Sequence, residues 1–178
     1  MNKIQLVPFT IEHYKLLEKE IPDPKFLMQW AGPKYTFPLS WEQIKNKIDE
    51  TDECGTKNFL FSASIPDTSL IIGHIQLTII DRSAGIGNIG SVLVFEEFRK
   101  RGFGAEIIRE IVNVGFHDKN LNELRLNVFD FNLPAIGCYK KIGFKEFSFE
   151  NNAREVENES WNLIYLSKTI NQTVSIQK

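Results

Sequence analysis

The chain has 178 residues, 42% of them apolar and 25% charged, with a formal net charge of −2. Length and composition suit one folded domain with a sizeable core and exclude disordered or collagen-like chains. The near-neutral charge gives no global attraction to nucleic acid or to an anionic membrane, so neither is expected as a partner, and any anion site has to be built locally.

In chain order, Ile4–Pro8 reads as a first strand. Thr10 is placed to cap a helix over Ile11–Ile21, with Ile11, Tyr14, Leu17 and Ile21 on one stripe. Pro22 and Pro24 stop it, and Phe26–Trp41 reads as irregular and aromatic. Ser40 followed by Gln43 is the capping-box pattern for a helix carrying Ile44 and Ile48 and fading into Asp49–Glu53. Strands are expected over Asn58–Ser64, Leu70–Ile80 and Gly87–Phe95, the second with Ile75, Leu77 and Ile79 on one face and His74, Gln76 and Thr78 on the other. A helix over Gly102–Asp118 puts Ala105, Ile108, Val112 and Phe116 on one face. Glu123–Phe129 is a strand, Leu133–Ile142 a short helix, and Phe144–Glu150 with Glu157–Ser167 a closing hairpin. Residues 1–167 form the expected single domain and 168–178 a polar tail. The order predicts an α+β fold, a mixed and mostly antiparallel central sheet of about six to seven strands with helices on both sides.

No apolar run approaches the ~18 residues of a membrane span, and Met1–Pro8 lacks the apolar core of a signal peptide. Cys54 and Cys138 are the only cysteines and lie far apart, so a disulfide framework or a cysteine zinc site is not expected. No metal is expected, and the cytoplasm is the expected location.

The densest chemistry lies at Arg99-Lys100-Arg101-Gly102-Phe103-Gly104, between an apolar strand and a helix. Helix N-termini present unpaired N–H groups and partial positive charge, and the glycines let an anion approach the backbone. A diphosphate fits that description; so does a basic surface loop that merely turns the chain. A Walker loop is excluded because no Gly-Lys-Ser/Thr ending is present, and a dinucleotide fingerprint because Ile107 stands where its third glycine belongs. In the second dense segment, Asn132 can cap a helix with an early Pro134, Gly143 ends it, and Ala135 and Tyr139 share the face of Asn132. Those features also describe an ordinary capped core helix.

Together the two segments resemble the GNAT superfamily of N-acetyltransferases: Arg-x-x-Gly-x-Gly at Arg99, Gly102 and Gly104, and Asn-x-x-Ala-x-x-x-Tyr-x-Lys-x-Gly-Phe at Asn132, Ala135, Tyr139, Lys141, Gly143 and Phe144. The N-terminal part and the Gly73-His74 strand resemble the branch containing ribosomal-protein N-terminal acetyltransferases. The resemblance implies acetyl-CoA as co-substrate, its diphosphate on the backbone of Arg99, Lys100, Arg101, Gly102, Phe103, Gly104 and Ala105. It implies that Val92, Leu93 and Val94 pair with the pantetheine arm, that Asn132 contacts that arm, and that Tyr139 hydrogen-bonds the departing sulfur and returns a proton to it. It implies direct acetyl transfer to a primary amine, on a small molecule or a peptide N-terminus, and admits a homodimer. A non-catalytic acetyl-CoA-binding module is the alternative.

No general base is legible. His74 is a candidate if it faces the cleft, Ser91 a relay candidate, and Glu96 and Glu97 lie beside the basic turn. Trp30, Tyr35, Phe37 and Trp41 either line an acceptor mouth or pack their loop onto the core. Asp49, Glu50, Asp52 and Glu53 either attract a cationic amine or form a solvated helix end.

Overall fold

The computed structural model describes residues 4–49 and 57–170. Seven strands form one sheet in the order β1-β2-β3-β4-β5-β7-β6. They are β1 Gln5–Pro8, β2 Lys57–Ser64, β3 Ile71–Asp81, β4 Ile86–Val94, β5 Glu123–Phe129, β6 Lys145–Val156 and β7 Glu159–Thr169. Every neighbouring pair is antiparallel except β4 with β5. The helices are α1 Ile11–Leu17, α2 Pro24–Ala31, α3 Trp41–Asp49, α4 Phe103–Asn113 and α5 Leu133–Ile142. The α+β expectation holds.

Helices cover both faces of the sheet. Phe103, Ile107, Ile108 and Ile111 of α4 and Ile136 and Tyr139 of α5 pack with Ile75, Leu77 and Ile79 of β3 in one apolar cluster. Tyr14, Leu17, Leu27, Trp30 and Ile44, from α1, α2 and α3, pack with Leu60 and Leu93 in a second. Double coverage explains why the alternation of β3 does not separate buried from exposed: His74 and Gln76 are buried along with Ile75 and Leu77.

The N-terminal part departs most from expectation. Thr10 Oγ1 accepts from His13 N–H at 3.4 Å as expected, but α1 ends at Leu17 and a 3₁₀ turn over Glu18–Glu20 follows. Tyr14, Leu17 and Ile21 are buried, whereas Ile11 is exposed. The stretch after Pro24 is helical, not irregular. Asp23 Oδ1 accepts from Phe26 N–H at 2.7 Å, and Pro24 occupies the first turn, where its missing N–H costs nothing. Pro24 therefore starts a helix rather than stopping one. Ser40 Oγ caps α3 by accepting from Gln43 N–H at 3.3 Å. The Gln43 amide does not return to Ser40; it bonds Thr36 N–H and O and Pro38 O, so only half of the capping box forms. The acidic stretch Glu50–Glu53 lies outside the described residues.

The buried stripe of α4 is Phe103, Ile107, Ile108 and Ile111, rotated from the expected Ala105, Ile108, Val112 and Phe116; only Ile108 is shared, and Phe116 is buried in the turn that follows. Apolar residues occupy so much of this helix that periodicity alone does not select its centre line. Beyond Asn113 the chain continues as a π-helical turn over Val114–Asp118, where Gly115 lets Leu124 approach: a Cβ there would fall 2.8 Å from Leu124 Cδ2. β6 runs to Val156 and β7 to Thr169, both past the expected ends. β6 is an edge strand exposed along almost its whole length, so its polar Asn151–Glu155 stretch gives no strand signal.

Candidate active site

The sheet is split at its centre. β4 and β5 pair only from Ile86 opposite Glu123 to Ile89 opposite Leu126. Across the other edge of β4, His74 faces Leu93 and Gln76 faces Gly90, so Ile75 alone opposes both Ser91 and Val92. That is a bulge, and Ser91 adopts the left-handed region with φ 51°. The bulge turns β4 aside while β5 stays paired with β7 as far as Phe129 opposite Leu163. Val92, Leu93 and Val94 are left without a ladder partner on the β5 side. Phe95 N–H donates to Ile72 O at 2.9 Å, so alternation along the strand directs the Val94 N–H away from β3, into the split.

The basic turn closes the same end. Arg99 N–H is bonded to Glu96 O at 3.2 Å and Ala105 N–H to Gly102 O at 3.1 Å, whereas the amides of Lys100, Gly102, Phe103 and Gly104 have no backbone partner among the described residues. No side chain caps α4. Lys100 (φ 60°) and Gly102 (φ 85°) curl the loop so that successive N–H groups gather at the start of the helix. Gly104 is not demanded by internal packing. A Cβ there would meet only Val94 Cγ2, at an ordinary 3.7 Å, yet a helical glycine costs about 1 kcal/mol relative to alanine. The open space beside it suits an external group approaching the backbone. The exposed Arg99 guanidinium folds back on the turn: Nε donates to Val94 O at 3.0 Å and Nη2 pairs with Glu20 at 3.2 Å. Glu20 also accepts from Glu96 N–H at 2.9 Å. Arg99 thus braces the turn, and its side-chain charge is already met. Lys100 is exposed, and Arg101 lies over the Phe98 ring at 5.8 Å.

On α5, Asn132 Oδ1 accepts from Ala135 N–H at 3.4 Å, so its oxygen is the helix cap. Tyr139 is buried in the cluster that Val92 and Val94 also pack against, with Phe144 edge-on at 6.2 Å. Burial, and secondarily Cys138, push its phenol well above the ordinary tyrosine range. No hydrogen bond to its hydroxyl is present among the described residues. The Val94 N–H directed into the split, the start of α4 without a side-chain cap and a buried phenol in the adjoining cluster therefore lie around one end of the sheet.

The sequence profile of the Acetyltransferase (GNAT) family matches residues 24–144. This chain belongs to the GNAT acetyltransferase family. Membership makes it an acyltransferase, with acetyl-CoA as the co-substrate of the family. Alpha/beta-tubulin-N-acetyltransferase 9 of Mus musculus is 22% identical over 161 residues, covering 87% of this chain and 67% of that protein. An uncharacterized N-acetyltransferase of Bacillus licheniformis is 26% identical over 86% of this chain and 89% of its own length. Among solved structures, spermidine N-acetyltransferase from Vibrio cholerae, in complex with CoA and spermine, superposes with a TM-score of 0.78 over 93% of this chain and 95% of that one. At 14% identity that likeness establishes the fold.

The remaining candidates in this GNAT enzyme fall mostly to packing. Trp30 and Tyr35 are buried and stacked at 6.1 Å, and Trp41 packs on Phe9 and Tyr14; only Phe37 is exposed. Glu96 and Glu97 are exposed beside the turn. Ser91 Oγ reaches Gln76 Oε1 at 3.5 Å, at the end of a buried chain through Asn58 to Lys47 O. The half-buried Cys138 has its thiol pushed up by burial, the wrong direction for a nucleophile. His74 is wholly buried between Phe9, edge-on at 4.7 Å, and Trp30, and burial followed by the Lys34 charge lowers its pKa to about 3. An imidazole that stays neutral to that pH is a poor acceptor for an ammonium proton. It has a consequence for stability: the unfolded chain takes up a proton near pH 6.5 that the folded chain refuses. Unfolding free energy should fall by about 1.4 kcal/mol per pH unit from pH 6 towards 4 through this group. Denaturant titrations of wild type and His74→Gln, compared across that window, would reveal the difference as a shallower slope in the variant.

Sequence reasoning missed Glu20, the brace of Arg99, and Lys34, whose ammonium sits on Gly90 where the split begins. A Cβ on Gly90 would fall 3.0 Å from Lys34 Nζ. Neither residue belongs to a motif; a glycine inside β4 is the one sequence sign of close approach there.

Proposed function

We propose that this protein transfers the acetyl group of acetyl-CoA to a primary amine by direct attack, the acceptor being a small molecule or a peptide N-terminus in the cytoplasm. The observation that carries the reading is the split between β4 and β5, with an unpaired Val94 N–H on one wall and Tyr139 packed against the same cluster. In this reading the amides of Lys100–Gly104 hold the donor's diphosphate, and Lys100 and Arg101 add charge outside it. Arg99 contributes by bracing the turn. The exposed backbone of Val92, Leu93 and Val94 takes the pantetheine arm as an added strand would be taken. Asn132, its oxygen engaged as a cap, offers its amide nitrogen to that arm.

The Val94 N–H then faces the thioester carbonyl and stabilises the oxyanion, a contribution of roughly 3–4 kcal/mol at comparable acyl-transfer sites. Holding both substrates makes the attack effectively unimolecular. Tyr139 stays protonated and donates a hydrogen bond to the departing sulfur. Its raised pKa lies above the ~8.5 of an ordinary thiol, so full transfer of its own proton would be uphill, and stabilising the thiolate is its main contribution. An acceptor of lysine-like pKa is neutral about once in a thousand molecules at pH 7, a cost of roughly 4 kcal/mol that the site has to offset by lowering the amine's pKa or accepting its proton.

The names of the relatives include a protein acceptor and a polyamine, so the acceptor has to be argued from this chain. A panel of polyamines, amino acids and short peptides should be scanned for amine-dependent release of CoA thiol from acetyl-CoA. Release with at least one amine is the expected result. Tight donor binding with no release on any amine would instead favour a binding module.

A further inference from the structure

The face of the split opposite α4 and α5 is covered by α2 and the turn after it, and its chemistry is one-sided. Lys34 ends the 3₁₀ turn Gly32–Lys34; the residue as a whole is exposed, and its ammonium lies against Gly90, where a Cβ would fall 3.0 Å from Nζ. Gly90 is the first residue of β4 beyond the stretch paired with β5, so this cation stands where the split opens. No carboxylate among the described residues forms an ion pair with Lys34. Burial first, and then repulsion from Lys47, lower its pKa. Two more polar atoms on this face lack hydrogen-bond partners, Trp30 Nε1 and His74 Nδ1, and their rings meet at 5.6 Å. An indole N–H can only donate. An ammonium and an indole N–H are both donors, and among the described residues no carboxylate pairs with the ammonium and no acceptor takes the indole N–H.

We propose that Lys34 binds a carboxylate of the acceptor, so that the acceptor class is an amine bearing an acidic group rather than a polycation. The inference rests on the acetyl-transfer reading of the same site and names its second substrate. A carboxylate beside Lys34 favours the ammonium form that burial and Lys47 disfavour, so ligand and lysine support each other's charged forms. A polyamine would bring a second cation to a place where no described carboxylate pairs with the first. Gly90 leaves room for the ammonium to lie flat on the sheet, and any side chain there would displace it. The wall is also held closed from the other side: Lys25 pairs with Glu159 at 2.9 Å and Met28 packs against Phe129 and Trp161, tying α2 to the β6–β7 hairpin.

The test compares matched acceptors, amino acids and their amides, with spermidine as the polycation. In wild type the acid should exceed its amide in kcat/KM by about tenfold or more, mainly through KM. Lys34→Gln should bring that ratio near one, and Lys34→Glu should invert it and favour spermidine. A second measurement needs no turnover: with CoA present, titration of an N-acetylamino acid against its amide should show the same preference in wild type and lose it in Lys34→Gln. A wild-type ratio near one, or a ratio that Lys34→Gln leaves unchanged, overturns the inference. Titration of CoA alone reads the donor site separately. Failure of donor binding would therefore count against the proposed activity, whereas intact donor binding with equal acid and amide binding counts against Lys34 alone.

Discussion

Gly104→Trp is expected to reduce acetyl-CoA affinity by at least about a hundredfold, roughly 2.7 kcal/mol, without unfolding the protein. The indole would occupy the open space in front of the uncapped start of α4, where a Cβ meets nothing closer than Val94 Cγ2 at 3.7 Å. The substitution therefore removes the approach route to the amides while leaving the core contacts of Phe103, Ile107 and Ile111 in place. Gly104→Ala sharpens the argument because its two effects have opposite signs. Alanine should stabilise the free protein by up to about 1 kcal/mol through helix propensity, yet weaken donor binding by crowding the same amides. Calorimetric titration of acetyl-CoA together with thermal unfolding separates the two. Wild-type affinity in Gly104→Trp would remove this turn from the donor site.

Tyr139→Phe is expected to lower kcat by about a hundredfold or more, with acetyl-CoA affinity nearly unchanged. The ring is what fills the apolar cluster beside Phe144, and phenylalanine keeps it. Only the hydroxyl is lost, and with it the hydrogen bond that strengthens as charge develops on the sulfur. The raised phenol pKa adds a pH signature. A group that titrated in the ordinary tyrosine range would make kcat fall near pH 10; here the alkaline fall due to Tyr139 should lie above that. Single-turnover rates measured across pH 7–10.5 test both statements. An unaltered kcat in the variant would dismiss Tyr139 from the chemistry.

Both expectations come from motifs that could be read before any coordinates, and the reason is local. The Arg99–Gly104 turn and the Asn132–Gly143 helix are written by backbone requirements: Gly102 and Gly143 have φ of 85° and 98°, and Asn132 caps the helix it precedes. Leu133–Ile142 and Glu123–Phe129 were legible to the residue for the same reason. Where the signals were ambiguous, the reading slipped. In sequence Pro24 suits a helix stop as well as a helix start, and the Asp23 cap decides for the start. β6 carries polar residues along an exposed edge, so alternation had nothing to report.

What no local signal carried is the relation between elements distant in the chain. Glu20 meets Arg99, and Lys34 meets Gly90, across separations that propensity and spacing do not see. Packing decided the aromatic question as well, since Trp30 and Tyr35 stack in the second cluster and leave Phe37 outside. The sequence by itself determined the fold class, the family and the backbone of the two segments proposed to flank the donor, because glycines, caps and charges at fixed spacing dictate backbone geometry wherever they occur. Only the tertiary structure decided that Arg99 is a brace, that His74 is buried and neutral, and that the Lys34 ammonium lies against Gly90 where the split opens. Those properties depend on which groups share a low-dielectric space, and burial and pairing exist only once the sheet and its helices have come together.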